Sequence, residues 1–175
     1  GLADRKNAQN PVLYKDCTFI SNINHLRLGD DYGVGCNHHF LRCKFVKSGS
    51  DPRFRTITAM GAYSSTGHRL VDCVFEGGAS PDDVAWGKTA PNTRDYTVEW
   101  TLVVSAELDM EVSVTDAKGA KVFSGKTGKD GKLEVALAQY RISHAGKEAL
   151  TPHTVTAGGK TEKVTLDAKK EIDLR

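Results

Sequence analysis

The feature that most constrains this chain is a repeat. Leu13-Tyr-Lys-Asp-Cys17-Thr-Phe19, His39-Phe-Leu-Arg-Cys43-Lys-Phe45 and Arg69-Leu-Val-Asp-Cys73-Val-Phe75 share one pattern. Thr97-Val-Glu-Trp100-Thr-Leu102 keeps it, with Trp for Cys and Leu for Phe. The anchors at 17, 43, 73 and 100 are spaced 26, 30 and 27 residues apart. Self-similarity at such a period signals stacked units, each burying its apolar edge only against its neighbours. The segments are short, rich in Val, Ile, Phe and Thr, and bounded by Gly, Asn, Asp and Ser, so they read as strands rather than helix pairs.

Each unit carries a second apolar stretch ending in glycine: Leu26-Arg-Leu28-Gly29, Ile57-Thr-Ala-Met60-Gly61 and Val84-Ala-Trp86-Gly87. Cys and the Phe two positions later share one strand face, so both can point inward. The apolar residue three positions before Cys (Tyr14, Phe40, Leu70) has the wrong parity for one flat strand, and a bend at a pair such as Val71-Asp72 would restore it. With its recurring apolar–Asp–Cys–x–Phe ladder, the stretch from about 10 to 104 resembles the coils of the pectate-lyase-like superfamily. The resemblance implies a short right-handed parallel β-helix of about four coils over residues 1–105. That fold hosts lyases, hydrolases, epimerases and inert adhesins alike.

From about residue 105 the composition shifts: arginine gives way to lysine, and tryptophan and cysteine vanish. Short alternating strands are expected around 110–115, 120–123, 133–137, 154–156, 163–166 and 171–174. Asp116-Ala-Lys-Gly119, Lys129-Asp-Gly-Lys132 and Ala157-Gly-Gly-Lys160 read as hairpin turns whose glycines supply positive φ. These features predict a small antiparallel β-sandwich over 106–175. Thr127-Gly-Lys-Asp-Gly131 followed by Tyr140 resembles the signature of carboxypeptidase-regulatory-like, transthyretin-like domains, which implies an accessory module on a secreted bacterial protein. Tyr96 to Val104 reads as one long strand joining the two parts.

Charge excludes some classes. Lys+Arg number 24 and Asp+Glu 22, a net charge of +2. Each half holds 12 basic and 11 acidic residues, so neither has the footprint of a nucleic-acid binder. No apolar run reaches membrane-spanning length. All four cysteines (17, 36, 43, 73) fall in the first half. Stacked side by side, Cys17, Cys43 and Cys73 would point inward in parallel, which favours reduced core thiols over disulfides. A stack that starts abruptly near residue 12 leaves its core open, so upstream coils or a partner chain are expected to cover that end.

Candidate chemistry lies in the loops. Asp30 and Asp31, with His25 and Arg27 just before them, are the nearest match to a catalytic cluster, the alternative being a solvated turn. Arg55 and Lys88 fall one or two coils away, and Tyr63 could stack on a sugar ring. The resemblance implies a polysaccharide lyase using a basic residue with Ca²⁺, or a hydrolase using paired carboxylates. It also implies a secreted, periplasmic or cell-surface location. Cys36-Asn-His38-His39 with His25 or His68 fits no zinc spacing. The chain is therefore expected to bind or process polysaccharide, or to act as a non-catalytic adhesin-type surface module.

Overall fold

The computed structural model describes residues 11–29, 37–61, 63–87 and 93–175. Among them every regular element is a strand. The chain divides into two units. The first comprises 1–98 with 142–147, and the second comprises 99–141 with 148–175.

The first unit holds β1 (Val12–Lys15), β2 (Thr18–Ser21), β3 (Asn24–Leu28), β4 (His38–Leu41), β5 (Lys44–Lys47), β6 (Arg55–Ala59), β7 (Ser65–Val71), β8 (Val74–Glu76), β9 (Val84–Trp86) and the start of β10 (Arg94–Ser105). The strands sort by position in the repeat. β1, β4 and β7 pair in parallel, as do β2, β5 and β8, and β3, β6 and β9. Equivalent residues stand side by side: Tyr14, Phe40 and Leu70 in one row, Phe19, Phe45 and Phe75 in another, Leu26, Ile57 and Val84 in a third. Strand spacing of about 4.8 Å then stacks like rings face to face. Tyr14 and Phe40 lie 4.9 Å apart, and Phe19, Phe45 and Phe75 follow at 5.1 Å steps. Each such pair adds about 0.5–1.5 kcal/mol beyond the burial of its area.

The parity problem in the repeat is solved at the residue before each cysteine. Asp16, Arg42 and Asp72 have φ of 55°, 51° and 50°, the left-handed region. One such residue bends the chain, so Tyr14 and Cys17 can both turn to the core side. Asp tolerates that region better than most residues because its side chain bonds locally. Across neighbouring repeats the Arg42 guanidinium donates two hydrogen bonds to the Asp16 carboxylate, at 2.8 and 2.9 Å.

Cys17, Cys43 and Cys73 are free thiols. Cys43 Sγ donates to the Tyr14 carbonyl at 3.5 Å and Cys73 Sγ to the Phe40 carbonyl at 3.4 Å, each thiol reaching one repeat back. Burial pushes the Cys73 thiol up to about 12 and raises that of Cys43. Glycine is required where the third strands end. A Cβ at Gly29, whose φ is 127°, would lie 1.9 Å from the Met60 carbonyl oxygen.

The second unit holds the rest of β10, then β11 (Glu111–Thr115), β12 (Lys121–Lys126), most of β13 (Lys132–Ser143), the end of β14 (Gly146–Ala149), β15 (His153–Ala157), β16 (Lys160–Val164) and β17 (Lys170–Asp173). β12-β11-β15-β16 form an antiparallel sheet. β13 lies beside β10, and β17 pairs with β10 in parallel, an exception to the antiparallel order expected here. Leu102, Val104, Val112, Val114, Leu137, Val155, Leu166 and Ile172 share one buried core, against which Trp100 packs.

The turns at Asp116–Gly119 and Ala157–Lys160 join antiparallel neighbours, as expected of hairpins. The turn at Lys129–Lys132 differs: it links β12 to β13, which belong to different sheets. Its Thr127 is a buried latch. The hydroxyl donates to the Glu107 carbonyl at 2.6 Å and accepts from the Met110 N–H at 2.9 Å. The Thr-x-x-Asp-Gly run thus does structural work in this chain.

Candidate functional site

Three of the residues singled out from the sequence, His25, Arg27 and His38, meet at one place. They border a cavity of about 270 Å³ together with Tyr14, Phe19, Leu26, Leu28 and Phe40. The walls are the first rungs of the ring stacks, so the same periodicity that builds the core shapes this space. The His25 ring stands edge-on to Phe45 and Phe54 at 5.7 and 5.3 Å. Its Nε2 faces the Val46 carbonyl at 2.9 Å and therefore carries the proton. Nδ1 is left as a bare acceptor, enclosed and without a partner. Arg27 sits between buried Leu26 and Leu28 with its own side chain on the exposed side of β3.

Arg55 is the register neighbour of Asn24 on the next strand. Its Nη1 donates to the Phe54 carbonyl at 2.6 Å, and its Nε lies 3.8 Å from Asp83. Asp83 itself closes a corner: its Oδ2 accepts the Thr56 N–H at 2.7 Å and the Thr56 hydroxyl at 3.3 Å. Tyr63 is 45 % exposed, on the segment between β6 and β7. Asp30, Asp31 and Lys88, as well as Cys36, lie outside the described residues. Among the described residues no three His, Cys, Asp or Glu side chains converge as a metal-ligand set.

One constellation escaped the sequence reading. Ser65 Oγ lies 2.7 Å from His68 Nε2, with both residues buried. That distance suits a nucleophile and its base. The tautomer does not. The His38 backbone N–H donates to His68 Nδ1 at 3.0 Å, so Nδ1 is the bare nitrogen and the proton sits on Nε2. Nε2–H then donates to Ser65 Oγ and cannot take its proton. Burial, which penalises the imidazolium, holds the His68 pKa down to about 3 and lowers that of His38, whose ring stacks on His68 at 5.5 Å. The pair is a neutral core hydrogen bond. A Ser-x-x-His spacing on a strand carries no signal that could have foretold it, since the two residues meet only where β7 bends.

No protein-family model, curated protein or solved structure matches this chain.

Proposed function

We propose that the chain is a non-catalytic surface module of a secreted, bacterial-type protein, in which the three parallel sheets are the faces of a right-handed, pectate-lyase-like β-helix and the second unit is a transthyretin-like sandwich. One observation carries this reading: among the described residues, the polar groups best suited to chemistry are committed to backbone and core contacts. Asp83 holds Thr56, His68 holds the His38 amide and Ser65, and Asp95 Oδ1 accepts the Gly67 N–H at 2.8 Å. The outward positions of the sheets mix short aliphatic and charged side chains without a stripe of one kind. On β2, β5 and β8 the rows are Thr18, Lys44, Val74 and Ile20, Val46, Glu76, crossed by a Lys44–Glu76 ion pair at 2.7 Å. Such a surface suits a stalk or platform.

A polysaccharide is the ligand class favoured by a second observation. Arg27 and Tyr63, a cation and an exposed aromatic, are both on the outside of the first unit. The test is a glycan array with and without Ca²⁺, followed by an ultraviolet assay for unsaturated uronate products on any polymer bound. Binding without product formation supports the module. Turnover that disappears in Arg27→Ala overturns it in favour of a lyase.

A further inference from the structure

The four-stranded sheet of the second unit, unlike the parallel sheets of the first, carries an ordered outer face. Val112, Val114, Val155 and Ala157 are buried in the core, so the residues alternating with them on β11 and β15 point away from it. Register sets these outward residues in two rows across β12, β11, β15 and β16. Ser124, Ser113, Thr156 and Thr161 form one row, and Lys121, Thr115, Thr154 and Lys163 form the next. Hydroxyls thus stand about 4.8 Å apart from strand to strand, and the two lysines lie about 14 Å apart, three strand steps. Strand propensity does not account for the grid: Thr is favoured on a sheet, but Ser, which faces Ser across β11 and β12, is not among the enriched types. The Thr156 and Thr161 hydroxyls bond each other at 3.1 Å. Among the described residues those of Ser113, Ser124, Thr115 and Thr154 have no side-chain partner. Lys118, Lys126, Lys132 and Lys170 are each paired with a carboxylate, whereas Lys121 and Lys163 are not.

We infer that this face binds an extended polysaccharide in which neutral sugars alternate with carboxylate-bearing ones. A Ser or Thr hydroxyl both donates and accepts, so the grid can answer sugar hydroxyls whichever way they point. Lys121 and Lys163 supply positive charge at the two ends of a neutral stretch, which calls for carboxylates set apart along the ligand rather than one on every unit. A nucleic acid fits less well: single strands are held by aromatic platforms in a basic groove, and Phe123 of β12 packs against the core instead. The inference rests on the polysaccharide reading given above for its ligand class, and adds a site in the other unit from Arg27 and Tyr63.

The probe is a hyaluronate oligosaccharide, in which uronate and neutral amino sugar alternate, titrated into the full chain and followed by calorimetry and amide NMR shifts. Saturable binding that moves the signals of β11, β12, β15 and β16 is expected. Methyl esterification of the ligand should weaken binding about fivefold. Lys121→Gln combined with Lys163→Gln should do the same for the acid and leave binding of the ester unchanged. Thr115→Val combined with Thr154→Val keeps the β-branched shape and should weaken acid and ester alike by about tenfold, with the urea midpoint unmoved. Absence of binding, equal binding of the ester, no effect of the Thr→Val pair, or displacement by a single-stranded DNA oligomer overturns the inference. Shifts confined to the first unit and lost in Arg27→Ala overturn this face alone and leave the polysaccharide reading standing. Second-unit shifts together with unsaturated products uphold this face and overturn the non-catalytic reading.

Discussion

His68 makes the stability of the first unit depend on pH. In the folded chain its pKa is held down to about 3, chiefly by desolvation, against 6.5 for a free imidazole. The unfolded chain therefore takes up the proton first, and stability falls as pH falls through 6.5, continuing toward 3. At pH 5 the unfolded state is favoured by 1.5 pH units of protonation, about 2 kcal/mol. That figure barely changes if the folded pKa is 2 or 4, because both lie well below 5. The geometry gives the same sign: a proton on Nδ1 would face the His38 N–H at 3.0 Å, donor against donor. Asp51 and Asp173, each bonded to a neighbouring arginine, titrate near 2. His38, lowered in the same direction, contributes to the total, so the difference between native and His68→Gln chains isolates His68.

The assay is urea unfolding at pH 8, 6 and 5, read from Trp86 fluorescence in a Trp100→Phe background so that the first unit reports alone. Native protein should lose about 2 kcal/mol more than His68→Gln between pH 8 and 5. Equal losses in the two chains would mean that His68 is protonated in the fold and would refute both the tautomer and the argument against a Ser65–His68 nucleophile.

Other outcomes follow from the stacks and corners. Phe45 is fully buried between Phe19 and Phe75, so Phe45→Ala should cost about 3–5 kcal/mol in the same urea assay. Gly29→Ala should cost more than about 2 kcal/mol, because its Cβ meets the Met60 carbonyl at 1.9 Å; a neutral result would show that the ends of β3 and β6 separate readily. In a Cys36→Ser background, a thiol reagent at pH 8 should label half-buried Cys17 in the native chain and reach Cys43 and Cys73 only after unfolding. Asp83→Ala strips the buried Thr56 amide of its partner and should cost about 1–3 kcal/mol, while Asp83→Asn recovers part of it.

Much of the first unit was legible because a repeat states its own register. Cys17, Cys43 and Cys73 align the strands, and the parity conflict between Tyr14 and Cys17 demanded a bend, met by left-handed φ at Asp16, Arg42 and Asp72. The second unit was legible in its alternating strands and less so in its wiring. Gly131 supplies positive φ in the Lys129–Lys132 turn as Gly119 does in a true hairpin, so local sequence could not reveal that the first crosses between sheets. The strand β14 was not anticipated: Gly146-Lys-Glu-Ala149 has one partly buried position and no apolar alternation, and neighbours rather than propensity recruit it. Of the site, His25, Arg27 and His38 were named from the sequence, but the cavity joining them to Tyr14 and Phe19 depends on stacking across repeats.

A stacked β architecture also changes what a polar loop residue means. Every corner between strands strands backbone amides that no sheet neighbour can satisfy, and a buried orphan amide costs about 1–3 kcal/mol. Asp83 at Thr56, Asp95 at Gly67, Ser80 Oγ at the Asp82 amide and Ser64 Oγ at the Thr93 amide are answers to that need. Residue types that read as acid, base or nucleophile in a one-dimensional string are thus the default corner furniture of this fold. The feature that separates a site from a corner is an unanswered group rather than a reactive-looking one. Among the described residues of the first unit the enclosed Nδ1 of His25, beside an apolar recess, meets that criterion, whereas Ser65 and His68, at a tighter distance, do not.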